Sequence, residues 1–183
     1  MVVNIGTQPL RRVRVVIAGE PCVGKSAMVE SVCSSGTNFL RTYTMTIGVS
    51  LKSKTIPINN GSEAVEVLFL DCSGSDLYED MLKKVLPQSC LICYVFDLTS
   101  RKTLNKVSKW HEKLNGIASK GSTSLLIGNK LDLTNRRYVT QAQARDFATK
   151  LKLEYCECSA KDHKSLQEAL SQLIGGGKQS KEN

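Results

Sequence analysis

The chain has 183 residues, of which 41% are hydrophobic and 23% charged, proportions that fit a single globular domain with its own core. No run approaches the roughly 20 apolar residues of a transmembrane helix, and residues 1–10 lack the pattern of a secretory signal peptide, so we expect a cytoplasmic protein. A formal net charge of +8 suits nucleic acid, but the basic residues are scattered without interleaved aromatic side chains, so no nucleic-acid partner is expected.

Apolar runs typical of strands alternate with helical patterns along the chain. In chain order, the pattern predicts a strand at 11–19, a helix at 25–33, strands at 49–58 and 63–71, a strand at 90–97, a helix at 99–115, a strand at 123–130, a helix at 140–151, a strand at 153–159 and a helix at 163–174. The residues Asn59, Asn60 and Gly61 favour a hairpin, so the second and third strands should pair antiparallel.

This order of elements predicts the fold class. Strands that alternate with helices form right-handed crossovers, and the resulting sheet is mostly parallel with helices on both faces. We therefore expect a doubly wound α/β domain over 11–174 with one antiparallel edge strand, and flexible ends at 1–10 and 175–183. In such a sheet ligands bind at the carboxyl ends of the strands. Four residues at predicted strand ends should meet there: Gly19, Asp71, Asn129 and Ser159.

Residues 19–26, which we call the phosphate loop, match the pattern G-x-x-x-x-G-K-[ST] between a strand and a helix. The glycines and the helix N-terminus let backbone N–H groups face phosphate oxygens. Lys25 should reach the β- and γ-phosphates, and Ser26 should bind Mg²⁺. Pro21 stands where glycine is common and removes one backbone donor. The predicted phosphate-binding residues of this loop are Gly19, Pro21, Cys22, Val23, Gly24, Lys25 and Ser26.

Two further segments, 129–132 and 159–161, indicate which base is bound, and we call them the base segments. The Asp132 carboxylate can accept hydrogen bonds from N1–H and the exocyclic amine of guanine, whereas adenine offers no such pair of donors. The sequences Asn-Lys-Leu-Asp and Ser-Ala-Lys match the N-K-x-D and S-A-K elements of Ras-like GTPases. In that family the alanine N–H of S-A-K recognises guanine O6. The resemblance implies guanine-binding roles for Asn129, Lys130, Asp132, Ser159, Ala160 and Lys161.

From about residue 11 to residue 174 the chain resembles small GTPases of the Ras and Rab kind, which implies GTP or GDP and Mg²⁺ as ligands. The resemblance also implies two switch segments whose order depends on one phosphate. In the first, Thr46 matches the threonine that completes the Mg²⁺ shell and senses γ-phosphate, and Phe39 matches the aromatic residue that covers the guanine edge. The second begins with the D-x-x-G sequence 71–74. Its Asp71 would hold Mg²⁺ through water, and its Gly74 N–H would contact γ-phosphate.

Ser75 stands where hydrolysing members of the family have glutamine. A serine side chain is too short to orient the attacking water, so a positioning contribution should be missing. We therefore assign no catalytic residue and expect slow intrinsic hydrolysis of GTP.

Several features narrow the resemblance. In four features the chain resembles the Rab-like GTPase subunits of intraflagellar transport complex B. These features are the missing glutamine, the extended segment 35–39, the Y-T-x-T-x-G sequence of the first switch, and an end, 175–183, without cysteines for prenylation. That subfamily implies a small β-sandwich subunit and other complex B subunits as partners, in the cilium or flagellum and at its base. We expect no direct lipid anchor.

Two alternatives stay open at this stage. The chain could be a structural adaptor that holds nucleotide constitutively, or a vesicle-trafficking Rab that lacks its prenylated tail. Equal partner affinity in the GDP and GTP forms would favour the adaptor, because a ligand indifferent to two states cannot shift them.

Four lysines recur at helical spacing in the predicted helix 99–115, beside an apolar stripe. They are Lys102, Lys106, Lys109 and Lys113. We interpret them as a solvated helix face, with a docking face for an acidic partner as the alternative.

Overall fold

The computed structural model describes residues 11–39, 42–58, 63–86, 90–115 and 124–176. The strands are β1 Arg11–Ala18, β2 Val49–Ile58, β3 Glu63–Cys72, β4 Leu91–Asp97, β5 Ser124–Asn129 and β6 Glu154–Glu157. The helices are α1 Lys25–Cys33, α2 Glu79–Val85, α3 Arg101–Asn115, α4 Gln141–Lys150 and α5 His163–Gly176. Two short 3₁₀ turns occupy Asp76–Tyr78 and Thr134–Arg136.

The strands form one sheet in the order β2-β3-β1-β4-β5-β6. The edge strand β2 pairs antiparallel with β3, from Val49 opposite Cys72 to Ile58 opposite Glu63. All other neighbouring strands are parallel. The predicted α/β fold with one antiparallel edge strand is therefore confirmed. The predicted hairpin residues 59–61, the predicted flexible start 1–10 and residues 177–183 of the predicted flexible end 175–183 lie outside the described residues. Residues 175 and 176, predicted to be flexible, instead form the last positions of α5.

The sheet separates two apolar clusters, because successive strand residues point to opposite faces. In β1, Val15 and Ile17 join the cluster packed by α1 and α5, whereas Val16 and Ala18 join the cluster packed by α2, α3 and α4. Both faces of the central strands are thus buried, as expected for a parallel sheet covered on both sides.

Local sequence explains where the described helices begin and which face they bury. Thr140 caps α4 by accepting the Gln143 N–H, while the Gln143 side chain accepts the Thr140 N–H, which is a complete capping box. The buried stripe of α3 follows helical spacing and consists of Leu104, Val107, Trp110 and Leu114. None of the helices in the described ranges combines the length and apolar character that a bilayer crossing requires.

The helix α2 was not predicted from the sequence. It has seven residues and follows directly on the 3₁₀ turn 76–78. Met81 and Val85 are exposed while Leu82 is buried, so the apolar residues do not form a helical stripe. Because so short a helix is stabilised by its surroundings, local sequence carries little signal for it.

Within the described part of the chain, a buried hydroxyl at the centre of the sheet has no hydrogen-bond partner. Tyr94 in β4 is fully buried, and among the described residues its Oη has no hydrogen-bond partner. Burial raises the pKa of Tyr94, with a smaller contribution from Cys90. Tyr155, in contrast, donates its hydroxyl to Glu157 Oε1 at 2.5 Å.

Replacing Tyr94 with phenylalanine is expected to leave the free energy of unfolding unchanged or raise it by up to about 1 kcal/mol, because a buried unpaired hydroxyl is unfavourable. Tyr155→Phe is the matched control and should lower the free energy of unfolding by about 1 kcal/mol, since it removes a formed hydrogen bond. Denaturant titration at fixed nucleotide and Mg²⁺ concentration measures both. A greater loss for Tyr94→Phe than for Tyr155→Phe would contradict this account.

Candidate nucleotide-binding site

A buried amide at the end of β5 joins the phosphate loop to the second base segment. Asn129 is 1% exposed. Its Nδ2 donates to the carbonyl of Val23 at 2.8 Å, and its Oδ1 accepts the N–H of Ala160 at 3.0 Å. Gly24 leaves room for this amide, because a Cβ on Gly24 would lie 2.3 Å from Asn129 Nδ2 and its φ is +98°. The structure thus brings the phosphate loop and the base segments to one edge of the sheet.

The phosphate loop combines a buried cation with backbone donors. Lys25 is 6% exposed, and its Nζ donates to the carbonyls of Gly19 and Glu20, both at 2.8 Å. Burial lowers the pKa of Lys25, and the Asp71 carboxylate opposes that change. Among backbone hydrogen bonds outside helices and strands in the described ranges, none is donated by residues 22–24. The loop therefore offers N–H groups and one cation to an anion.

Three side-chain oxygens gather beside the start of α1. The Ser26 hydroxyl donates to Asp71 Oδ2 at 2.6 Å, and Thr46 Oγ1 lies 3.0 Å from Ser26 Oγ and 3.5 Å from Asp71 Oδ2. Asp71 is 4% exposed, and its Oδ1 has no hydrogen-bond partner among the described residues. Burial raises the pKa of Asp71, while the Ser26 hydrogen bond and the Lys25 charge lower it.

This oxygen cluster fits the magnesium ion that the resemblance implies. Mg²⁺ prefers oxygen ligands, usually one or two carboxylates together with water and phosphate. The unpartnered Oδ1 of Asp71 is a buried acceptor without a donor, an arrangement that a cation satisfies. Ser26, Thr46 and Asp71 are the residues that could hold such an ion.

The carboxylate of the first base segment is fixed by two donors from the second. Ser159 Oγ donates to Asp132 Oδ1 at 2.7 Å, and Lys161 Nζ lies 2.9 Å from Asp132 Oδ2. Partial burial raises the pKa of Asp132, but the hydrogen bonds from Lys161 and Ser159 hold it below its usual range. Lys161 Nζ also lies 5.8 Å from the ring centroid of Phe39, so this ring stands beside the base segments.

Like the other residues of the base segments with predicted guanine-binding roles, Lys130 and Ala160 are engaged by the protein itself. Lys130 Nζ pairs with Asp97 Oδ2 at 2.7 Å, and its φ of +68° is left-handed. The Ala160 N–H, which the resemblance assigns to guanine O6, donates to Asn129 Oδ1. In this structure both groups fix the loops in place. Asp97 belongs to no motif, and its role is visible only in the fold.

The second switch segment, residues 71–86, touches the phosphate loop at Gly74. A Cβ on Gly74 would lie 2.4 Å from the backbone nitrogen of Pro21, so only glycine fits. The next residue, Ser75, accepts the Leu77 N–H on its Oγ at 3.3 Å and caps the 3₁₀ turn. The serine hydroxyl at the position of the family glutamine is thus used within its own turn.

A salt bridge outside all motifs involves Glu157, two positions before the second base segment. The Arg137 guanidinium contacts both carboxylate oxygens of Glu157, at 2.9 and 2.5 Å, and its Nε donates to the carbonyl of Val139 at 2.7 Å. Burial raises the pKa of Glu157, but Arg137 and Tyr155 hold it below its usual range. No sequence pattern indicates this pair, because its members lie 20 positions apart and belong to no motif.

Comparison with known proteins agrees with this geometry. The Ras family model matches residues 14–177. Intraflagellar transport protein 27 homolog of Homo sapiens is 36% identical over 83% of this chain and 82% of its own length, and Intraflagellar transport protein 27 of Chlamydomonas reinhardtii is 32% identical over 81% and 75%. Ras-related protein Rab-12 of Homo sapiens is 27% identical over 89% of this chain and 66% of its own length. By these matches and by the loops gathered at its sheet edge, the chain belongs to the Ras family.

Proposed function

We propose that this chain is a GTP-binding switch with slow intrinsic hydrolysis and that it acts as a Rab-like subunit of an intraflagellar transport complex. Members of the Ras family bind GTP or GDP with Mg²⁺. The observation that carries the nucleotide part is the Asp132 carboxylate, which is fixed beside Phe39 at the sheet edge where Asn129 fastens the phosphate loop. The transport part is supported by the relatives named intraflagellar transport protein 27.

Guanine selection would depend on the acceptors of Asp132. An ionised carboxylate has about four lone-pair sites, and Ser159 and Lys161 occupy one on each oxygen. The remaining sites can accept N1–H and the exocyclic amine of guanine, whereas adenine would leave this carboxylate without donors. Because its two donors also keep Asp132 ionised, the selecting group is charged at neutral pH.

Magnesium would be held by Ser26, Thr46 and Asp71. When bound, the ion neutralises charge on the β- and γ-phosphates, and Lys25 adds a second positive charge on the same side. The hydrogen bonds among Ser26, Thr46 and Asp71 already hold these groups together, so few side chains must be ordered when the ion binds.

Slow hydrolysis would follow from the second switch segment. Ser75 carries no group long enough to orient water, and its hydroxyl caps the 3₁₀ turn at 76–78. The nucleotide could then stay as GTP until another protein supplies the missing group.

Partner binding is supported by exposed apolar side chains around both switches. They are Tyr43, Met45 and Ile47 in the first, Leu77, Met81 and Val85 in the second, and Leu51 on β2. Monomeric proteins seldom expose large apolar patches without a partner. By resemblance, the proposed partners are a small β-sandwich subunit and other complex B subunits, and the proposed location is the cilium or flagellum.

Asp132→Asn is expected to lower GTP affinity by about 30- to 1,000-fold, because an amide N–H₂ would face the guanine donors. The same variant should gain affinity for xanthosine triphosphate, whose C2 oxygen accepts from the amide. Calorimetry with Mg²⁺ measures both ligands, and Asp146→Asn on exposed α4 is the matched control for the change in charge. Unchanged guanosine preference in Asp132→Asn would refute the assigned role.

Ser75→Gln is expected to raise the single-turnover rate of GTP hydrolysis by about tenfold or more, because the longer amide can orient the attacking water. Ser75→Ala should stay within about twofold of the wild type, since the serine hydroxyl serves only its own turn. Equal rates in Ser75→Gln and the wild type would remove the serine from the explanation of slow turnover.

Affinity for reconstituted complex B subunits is expected to be higher with a GTP analogue than with GDP, and Ile47→Asp should weaken it by about tenfold or more. Tyr138→Asp is the matched control, because Tyr138 is a large apolar residue of similar exposure, 66% against 74% for Ile47, and lies outside both switches. Surface binding measurements on the two nucleotide forms provide the readout. Equal affinity in both forms would favour the constitutive adaptor over the switch.

A further inference from the structure

One turn of α3 carries three side chains that reach the nucleotide side of the molecule. Lys109 Nζ lies 2.7 Å from Asp76 Oδ2, and Lys113 Nζ lies 2.7 Å from Asp76 Oδ1. Lys113 also pairs with Glu79 Oε2 at 2.7 Å. Lys109 and Lys113 are four positions apart and share a helix face, so they can bind one carboxylate from both sides. The sequence-based interpretation of these two lysines as merely solvated is therefore incomplete.

The third side chain of this turn binds the phosphate loop. Trp110 is 3% exposed, and its indole N–H donates to Glu20 Oε1 at 3.1 Å. A buried indole needs such an acceptor, and Glu20 sits inside the phosphate loop, next to Gly19. Lys113 Nζ also lies 5.4 Å from the Trp110 ring centroid, so the two contacts adjoin each other.

The two segments that α3 binds, the phosphate loop and the second switch segment, also contact each other at Gly74. The second switch segment and the phosphate loop touch directly, since a Cβ on Gly74 would lie 2.6 Å from the backbone carbon of Glu20. The Glu20 side chain thus accepts from Trp110, and the Glu20 backbone lies against Gly74. Phosphate loop, α3 and second switch segment are joined pairwise by groups of the chain itself.

We propose that Lys109, Trp110 and Lys113 form a bracket that keeps the second switch segment docked on the phosphate loop whether GDP or GTP is bound. This inference rests on the proposed function, and it assigns these residues and Asp76 a positioning role at that site. In the family, the order of a switch segment depends on the γ-phosphate. The contacts at Asp76 and Glu20 are made between groups of the chain itself and use no atom of the nucleotide, so they can persist in both states and reduce the difference between them.

The contact at Asp76 is suited to such a role. Asp76 is 62% exposed, and a single ion pair at such a site contributes little. Here one carboxylate is bound by two ammonium groups, and those hydrogen bonds lower its pKa to about 2. One substitution at Asp76 should therefore be enough to release the bracket. The Asp76 carboxylate remains charged throughout the neutral pH range.

Hydrogen exchange on the full chain, loaded with GDP or with a non-hydrolysable GTP analogue, tests the bracket. In the wild type, the second switch segment should be protected to a similar degree in both forms. Asp76→Asn should speed its exchange by about two- to fivefold in the GDP form, and Trp110→Phe should extend the effect to the phosphate loop. Asp146→Asn is the matched control and should leave both segments unchanged.

Two results would overturn the bracket: a wild-type segment that exchanges freely with GDP and is protected only by the analogue, or an Asp76→Asn segment that exchanges as in the wild type. Nucleotide content of the same samples is read by mass spectrometry. If no nucleotide is retained, the proposed function fails, but Asp76→Asn should still speed exchange in the empty protein, because every contact of the bracket comes from the chain.

Discussion

The hydrogen bonds of the Asn129 side chain are the interaction on which the candidate site depends. The amide is 1% exposed and satisfies the carbonyl of Val23 and the N–H of Ala160, which belong to loops far apart in the chain. Breaking it would leave buried polar groups unpaired on both loops, and each of these costs about 1–3 kcal/mol. The amide therefore fixes the distance between the place where phosphates would bind and the place where a base would bind. Only Gly24, which has no side chain, lets it come so close.

A second constraint concerns charge. Among the described residues at the sheet edge, one buried oxygen of Asp71 has no hydrogen-bond donor. An unsatisfied buried acceptor lowers stability, and proteins retain such groups mainly where a ligand completes them. The same carboxylate is held by Ser26 and lies near the buried Lys25. Packing alone does not account for this arrangement, whereas a site that receives a cation and phosphates does.

Features that depend on neighbouring residues could be predicted from the sequence, whereas contacts between residues far apart in the chain could not. The alternation of strands and helices and the loop 19–26 are local patterns, so the sheet and the position of the loop followed from them. Leu82 is the only buried residue among the described side chains of helix α2, so the sequence of this helix shows no periodic apolar pattern that would predict it. The pairs Arg137–Glu157 and Lys130–Asp97 join positions that no motif links, because each pair forms only after the strands are assembled. The cap formed by Ser75 was not predicted for another reason. Comparison with the family pattern shows only that glutamine is missing at this position, not that the serine hydroxyl accepts the Leu77 N–H.

The two switch segments differ in how much of their order the chain itself supplies. The second is bound through Asp76 to α3, and Gly74 sits against the phosphate loop. The first presents Tyr43 and Ile47 to solvent. It meets the site through Thr46, which lies beside Ser26 and Asp71, and its Gly48 carbonyl accepts the Ser73 N–H at 2.8 Å. A ligand shifts a conformational equilibrium only if it binds one of the two conformations more tightly than the other. If the proposed function holds, a γ-phosphate would therefore act on this chain more through Thr46 than through Gly74, and a partner that distinguishes GTP from GDP would bind the first switch.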